Sequence, residues 1–152
     1  MTKKPRKAAA KPSKSARKPT IRAPSPTAHA AAPSGAQPPN FSDIQNLLDT
    51  LVPTSDTNIQ SAPHKRFWRN PPTDTRDGFV SVDTSMWGQA GPLVTPGHPE
   101  TSNLFLALAG QAPFDGSAQN QMPDINADFN ATLADADQLN MVATWIKNGA
   151  PA

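Results

Sequence analysis

The spacing of apolar residues predicts a first helix over residues 42–51. Its large apolar residues recur at i, i+3, i+4 and i+7, which places them on one face of a helix. These residues are Ile44, Leu47, Leu48 and Leu51. Ser42 is followed three residues later by Gln45, the pattern of a capping box, and Pro53 stands just beyond the predicted end. The pattern therefore predicts an amphipathic helix of about three turns.

Two shorter helical segments are predicted in the middle of the chain. The first covers residues 75–80 and the second covers residues 101–109. Either Thr101 or Ser102 can cap the second segment, and Gly110 stands where a left-handed residue commonly ends a helix. The residues of this helix expected to face the core are Leu104, Phe105 and Leu108.

The last predicted helix has the clearest pattern. Asp135 and Gln138 form a capping-box pair at its start, and Gly149 ends it. Its apolar stripe consists of Leu139, Val142, Ala143 and Ile146, joined by Trp145. Strand signals are confined to residues 79–82. The predicted fold class is therefore mostly α, with long loops between the helices.

The first 40 residues have a different composition. They hold nine basic residues and no acidic residue, and their only large apolar residues are Met1 and Ile21. The basic residues are Lys3, Lys4, Arg6, Lys7, Lys11, Lys14, Arg17, Lys18 and Arg22. Such a segment cannot bury enough apolar surface to offset the entropy lost on ordering, so residues 1–40 are predicted to be a disordered polycationic tail and linker.

Residues 41–152 have the composition of a folded domain. They contain all nine Phe and Trp residues, and their five basic and twelve acidic residues give a net charge of −7. The preceding basic residues suit a polyanion, because each contact with a phosphate releases a condensed counterion whatever the base sequence. Non-specific nucleic acid and an acidic protein partner are the two kinds of ligand that this charge pattern predicts. A purely solubilising role for the tail is the third interpretation.

Several classes of protein are excluded by composition. The chain has no cysteine, which rules out disulfides, Cys-ligated metals and haem attached through thioethers. No secretory apolar stretch of roughly 7–15 residues follows the first basic residues, because Lys11 and Pro12 interrupt it. No segment has the roughly 20 apolar residues that a membrane span needs. We therefore expect a cytoplasmic protein.

The second half of the domain resembles a known family. The segments LVTPGHPETSNLFLALAG, QMPD and ADQLNMVATWIKNGAP are similar to the C-terminal half of bacterial class I cytochrome c-like domains, and SDIQNLL resembles the first helix of that family. The resemblance implies a small helical bundle around a haem. In the family the iron is held by the His of a Cys-x-x-Cys-His motif and by a distant Met, which Met122 matches here.

The chain departs from the family at the haem-attachment motif. TLVPTSDTNIQSAPHKRFW stands where the cysteines would be, so covalent haem attachment is impossible. A fold built around a haem must refill that volume to restore close packing. The aromatic residues predicted to do so are Phe67, Trp68, Phe79, Trp87 and Phe114. Lys65, Arg66 and Arg69 are expected to stay solvated or to pair with aspartates.

These observations predict a non-enzymatic accessory or interaction protein built on a haem-less cytochrome c-like domain, with no cofactor. Its partner would be a protein, such as an oxidoreductase or a larger assembly. One alternative is an electron-transfer protein that binds haem non-covalently through His64 and Met122, since imidazole and thioether are suitable axial ligands. The other alternative is a nucleic-acid-associated protein whose affinity comes from the tail.

No catalytic or metal-binding pattern stands out in the sequence. Asp135 and Asp137 open the last helix, where carboxylates cap the helix and interact favourably with its dipole. Asp124, Asn126 and Asp128 have the alternating spacing that opens a calcium loop. The glycine and the bidentate glutamate that such a loop also needs are missing, so neither calcium binding nor enzyme activity is predicted.

Overall fold

The computed structural model describes residues 37–54, 64–126 and 130–152. Within these ranges the chain forms four α-helices: α1 (Phe41–Leu51), α2 (Arg76–Val80), α3 (Asn103–Ala109) and α4 (Ala136–Lys147). Short 3-10 turns occur at Phe67–Arg69, Thr84–Trp87 and Pro99–Thr101. The mostly helical class is confirmed for these residues. Residues 1–36 of the predicted tail, with all nine of its basic residues, lie outside them.

Helix α1 begins two residues beyond Pro39, with Asn40 as its N-cap. The Asn40 side chain accepts a hydrogen bond from the Asp43 backbone N–H at 3.2 Å, and the Asp43 carboxylate accepts one from the Asn40 backbone N–H at 2.9 Å. The predicted capping box of Ser42 and Gln45 is therefore wrong. Phe41 is only 6% exposed and already belongs to the buried face, so the cap falls before it.

Helix α3 is shorter than predicted. It begins at Asn103 rather than at residue 101, because Pro99–Thr101 forms a separate 3-10 turn. Ser102 occupies the N-cap position, but its side chain makes no capping bond. Its hydroxyl instead accepts from the Thr95 backbone N–H at 2.8 Å and donates to the His98 carbonyl at 2.8 Å. The predicted end is confirmed, since Gly110 adopts the left-handed conformation with φ of 61°.

Helices α2 and α4 agree with the sequence patterns. Thr75 caps α2, its hydroxyl accepting from the Gly78 backbone N–H at 3.2 Å. At the start of α4 the Asp135 and Gln138 side chains each accept a hydrogen bond of 2.9 Å from the other residue's backbone, which is the predicted capping box. Residues 79–82 form no strand, and the one bridge in the described residues joins Asp83 to Pro92.

The hydrophobic core is formed mainly by α1, α4 and the loops that precede α3. It includes the inward faces of α1 and α4 together with aromatic residues from the intervening segments. Its most deeply buried large side chains are Ile44, Leu51, Phe79, Val94, Val142, Trp145 and Ile146. Among the described helices, none combines the length and the apolar character required to cross a membrane. The core positions both the aromatic residues near His64 and the loop that follows α3.

Candidate functional site

His64 is an aromatic packing residue in this structure. Its Nδ1 lies 2.9 Å from the Lys65 carbonyl oxygen, and since a carbonyl can only accept, Nδ1 carries the proton and donates it. The imidazole meets the rings of Phe67 and Trp87 edge-on, with centroid separations of 6.2 and 5.7 Å. Nε2 is therefore the ring nitrogen of His64 that this hydrogen bond does not engage.

Met122 is held by a different part of the fold. Its backbone N–H donates to the carbonyl of Ala107 in α3 at 2.9 Å. Its side chain is half-buried and is not among the residues that pack against the main core. The rings that contact His64 do pack there. The structure thus places the two proposed axial ligands in different surroundings and brings them into no described contact.

Aromatic rings in mutual contact fill the interior beside His64. Phe67 stacks on Phe79 at 5.4 Å and lies 4.9 Å from the ring of Trp87. Phe79 in turn contacts Phe41 at 5.2 Å and Trp145 at 6.2 Å. His64 thus packs against an aromatic cluster to which Met122 does not belong.

Four of the five aromatic residues that were predicted to turn inward do so in the main core. Phe67, Trp68, Phe79 and Trp87 belong to the core or pack against it. Phe114 is the exception, because it is buried outside that cluster and lines a cleft in the connection between α3 and α4. The segment from residue 64 to α2 and the turn at residues 84–87 thus supply four rings of the aromatic interior, and Phe41 of α1 and Trp145 of α4 join them.

Of the basic residues that follow His64, Arg66 and Arg69 pair with an aspartate of α1, which is one of the two outcomes predicted for them. The Asp49 carboxylate accepts hydrogen bonds from Arg66, from Trp68 Nε1 at 2.8 Å and from Arg69 Nε at 2.9 Å. Partial burial raises the pKa of Asp49, but the hydrogen bonds from Arg69 and Trp68 and the charges of both arginines outweigh it and lower the pKa overall. Lys65 is exposed to solvent.

Gln45 of α1 holds the segment between residues 68 and 74 through hydrogen bonds. Its Nε2 donates to the carbonyls of Trp68 at 2.7 Å and Asp74 at 3.1 Å, and the residue is 7% exposed. This role was not predicted from the sequence, whose pattern placed the Gln45 side chain in a helix cap. A polar residue between Ile44 and Leu47 on an otherwise apolar face was the available signal. Buried polar side chains are almost always hydrogen-bonded.

A cleft of about 280 Å³ opens in the connection between α3 and α4. Its apolar lining residues are Phe114, Pro123, Ile125 and Leu133. Its polar lining residues are Asp115, Asn120, Gln121, Asp124 and Asn126, and the glycines at 110 and 116 complete the wall. Among the described residues no three His, Asp or Glu side chains are grouped to hold a metal ion. Asp128 lies outside those residues.

Comparison of the chain with models of known protein families, with curated proteins and with solved structures finds no match. The resemblance to class I cytochrome c-like domains stays a prediction that rests on the sequence segments quoted above.

Proposed function

We propose that the protein is a non-enzymatic interaction protein, whose folded part is a haem-less relative of cytochrome c-like domains and whose basic segment binds an anionic partner. The observation that supports a cofactor-free domain is the edge-on packing of His64 against Phe67 and Trp87, in an aromatic cluster to which Met122 does not belong. The folded part would bind a protein, such as an oxidoreductase or a larger assembly.

The charges of the described residues support an anionic partner for the basic segment rather than for the folded part. Arg66 and Arg69 both pair with Asp49. Arg76 donates to the backbone carbonyls of Gly149 and Ala150 and pairs with Asp77. Three of the five basic residues after residue 40 are thus engaged within the fold. Affinity for a polyanion then comes from residues 3–22, which carry nine basic side chains.

Titration with haemin tests the cofactor-free domain. The full chain, expressed with haem supplementation and purified, should show helical circular dichroism and no stoichiometric Soret band when haemin is added. The matched controls are His98→Ala and Met86→Ala, which alter an exposed histidine and an exposed methionine. A stoichiometric band that fades in His64→Ala and Met122→Ala, but not in the two controls, would make the protein a haem-binding electron carrier.

Binding to DNA tests the anionic partner. The full chain is compared with a variant in which all nine basic residues of segment 3–22 are glutamine. If six or more of them contact phosphates, affinity for duplex DNA should fall about a thousandfold between 50 and 200 mM salt. The glutamine variant should lose this binding. A control that exchanges every Lys for Arg and every Arg for Lys should retain it.

Equal binding by the glutamine variant and the wild type would contradict a role for the basic segment. Salt-dependent DNA binding by the wild type, together with the absence of any protein partner for the folded part, would favour the nucleic-acid-associated alternative. The haemin titration therefore separates the electron carrier from the other two functions, and the presence or absence of a protein partner for the folded part separates those two from each other.

A further inference from the structure

Exposed apolar side chains are concentrated at the cleft between α3 and α4. Only three large hydrophobic residues of the described ranges are exposed: Met86 at 76%, Ile125 at 43% and Leu133 at 40%. Ile125 and Leu133 both line the cleft, next to the buried ring of Phe114. Apolar surface that stays exposed within a concave site commonly marks a binding site.

The described ionisable groups that line the cleft have the same sign. Among the residues that the structure describes, Asp115 and Asp124 are the titratable ones in its lining, and no described Lys, Arg or His belongs to it. The Asp115 carboxylate accepts from the Ser117 side chain and from the Ser117 backbone N–H at 3.0 Å, and these bonds lower the pKa of Asp115. These hydrogen bonds hold the Asp115 carboxylate in position beside the apolar lining of the cleft.

The polar walls of the cleft are already organised. Asn120 Nδ2 donates to the Asp124 carboxylate at 2.8 Å, as does the Asn126 backbone N–H at 3.0 Å. Gln121 Nε2 donates to the Leu108 carbonyl in α3 at 2.8 Å, which fastens the wall to the helix. A site with side chains fixed in advance loses less conformational entropy when it binds.

We propose that this cleft binds a basic peptide segment of a partner protein, through lysine or arginine side chains. These side chains carry an apolar stem and a charged end, so the stem packs on Ile125 and Leu133 while the cation meets Asp115 and Asp124. The cleft is slightly smaller than pockets for small organic ligands, which hold roughly 300–1,000 Å³, and it suits individual side chains. This inference rests on the proposed function as an interaction protein.

Fluorescence anisotropy with a labelled peptide of alternating lysine and alanine tests the proposal. The receptor is the full chain with the nine basic residues of segment 3–22 replaced by glutamine, since those residues would repel the probe. Leu133→Ser should weaken binding about fivefold, because the lysine stems lose apolar contact. Met86→Ser, which alters an exposed apolar residue outside the cleft, should leave the affinity unchanged.

The contribution of charge is tested with two double variants of equal net charge. Asp115→Asn with Asp124→Asn should weaken binding about tenfold, and asparagine retains the oxygen that accepts the local hydrogen bonds. Glu100→Gln with Asp137→Asn removes two exposed carboxylates outside the cleft and should have little effect. Equal weakening by both pairs would show diffuse attraction to an acidic domain and would overturn the proposal.

Two further outcomes would also overturn it. One is the absence of binding at peptide concentrations up to about 1 mM, which corresponds to less than about 4 kcal/mol of binding free energy. The other is self-association of the chain that is lost in Leu133→Ser, since the occupant would then be a second copy. Each of these results leaves the haemin and DNA titrations unaffected, so the cleft can fail while the proposed function stands.

Discussion

The guanidinium of Arg76 donates a hydrogen bond of 2.6 Å to the backbone carbonyl of Ala150. A second bond, of 2.9 Å, reaches the carbonyl of Gly149. Both carbonyls lie just beyond Lys147, the last residue of α4, where the helix dipole places a partial negative charge. Arg76 thereby fastens α2 to the segment that follows the last helix.

Replacement of Arg76 by methionine should lower the free energy of unfolding by about 2 kcal/mol, since hydrogen bonds to a charged group contribute about 1.5–3 kcal/mol. Urea unfolding followed by circular dichroism at pH 7 measures the change. Lys147→Met is the matched control, because Lys147 is an exposed basic residue in the last turn of α4. Its effect should stay within about 0.5 kcal/mol. Equal losses in the two variants would contradict the role of Arg76.

The position of the N-cap of α1 leads to a second prediction. Asn40→Ala should cost about 1 kcal/mol of stability, because it removes the side-chain acceptor for the Asp43 backbone N–H. Ser42→Ala should change stability by less than about 0.5 kcal/mol, since Ser42 is exposed and lies inside α1. Thermal unfolding of both variants measures the difference. A larger loss of stability in Ser42→Ala than in Asn40→Ala would instead support Ser42 as the N-cap, as the sequence pattern predicted.

Gln45→Met should destabilise the protein by about 2–3 kcal/mol, because it removes the donor for two backbone carbonyls at nearly constant side-chain volume. Thr50→Ala on the same helix is the control and should have a small effect, since its hydroxyl is exposed. Hydrogen exchange locates the change. The amides of Asn70 and Thr73, which bond within the segment that Gln45 holds, should exchange faster in Gln45→Met than in the control.

The ion pairs of Asp49 predict a loss of stability in acid. Because the pKa of Asp49 is lowered in the folded protein, its contribution is complete above the ordinary aspartate pKa of about 3.9 and is lost as pH falls through the folded value. Asp49→Asn should therefore be less stable than the wild type at pH 7, and the difference should shrink below about pH 4.

Urea unfolding from pH 7 to pH 2.5 measures that difference. The lowered pKa values of Asp83, Glu100 and Asp115 affect wild type and variant alike, so subtraction isolates Asp49. Asp137→Asn controls for the change in net charge. A gap between wild type and Asp49→Asn that stays constant across the pH range would show that the carboxylate charge contributes nothing to the pairing.

Local patterns were sufficient to predict two of the helices closely. The capping pair of Asp135 and Gln138 and the apolar stripe of α4 act within one helix, so the sequence contains all the information that they need. The first cap was misplaced because Ser42 and Gln45 match the same pattern as Asn40 and Asp43. Only the burial of Gln45 distinguishes the two capping pairs, and that burial depends on contacts with Trp68 and Asp74, which lie 23 and 29 residues further along the chain.

Long-range contacts also explain what the sequence could not predict about the candidate site. The pairing of Arg66 and Arg69 with an aspartate was predictable from charge, whereas the choice of Asp49 depends on how the segment crosses α1. The contact of His64 with Trp87 joins residues that no periodicity relates. The cleft depends on the loop after α3, for which apolar spacing gave no signal.

The last described residues are synthesised last, and they supply hydrogen-bond acceptors to earlier parts of the fold. Gly97 donates its N–H to the Ile146 carbonyl at 2.7 Å, and Trp145 donates its indole N–H to the Pro151 carbonyl at 2.8 Å. The two carbonyls that accept from Arg76 belong to residues 149 and 150. A nascent chain that has reached residue 145 already contains the aromatic interior but lacks all of these acceptors. Since domains fold as units, this one completes its structure only after residues 146–151 have left the ribosome.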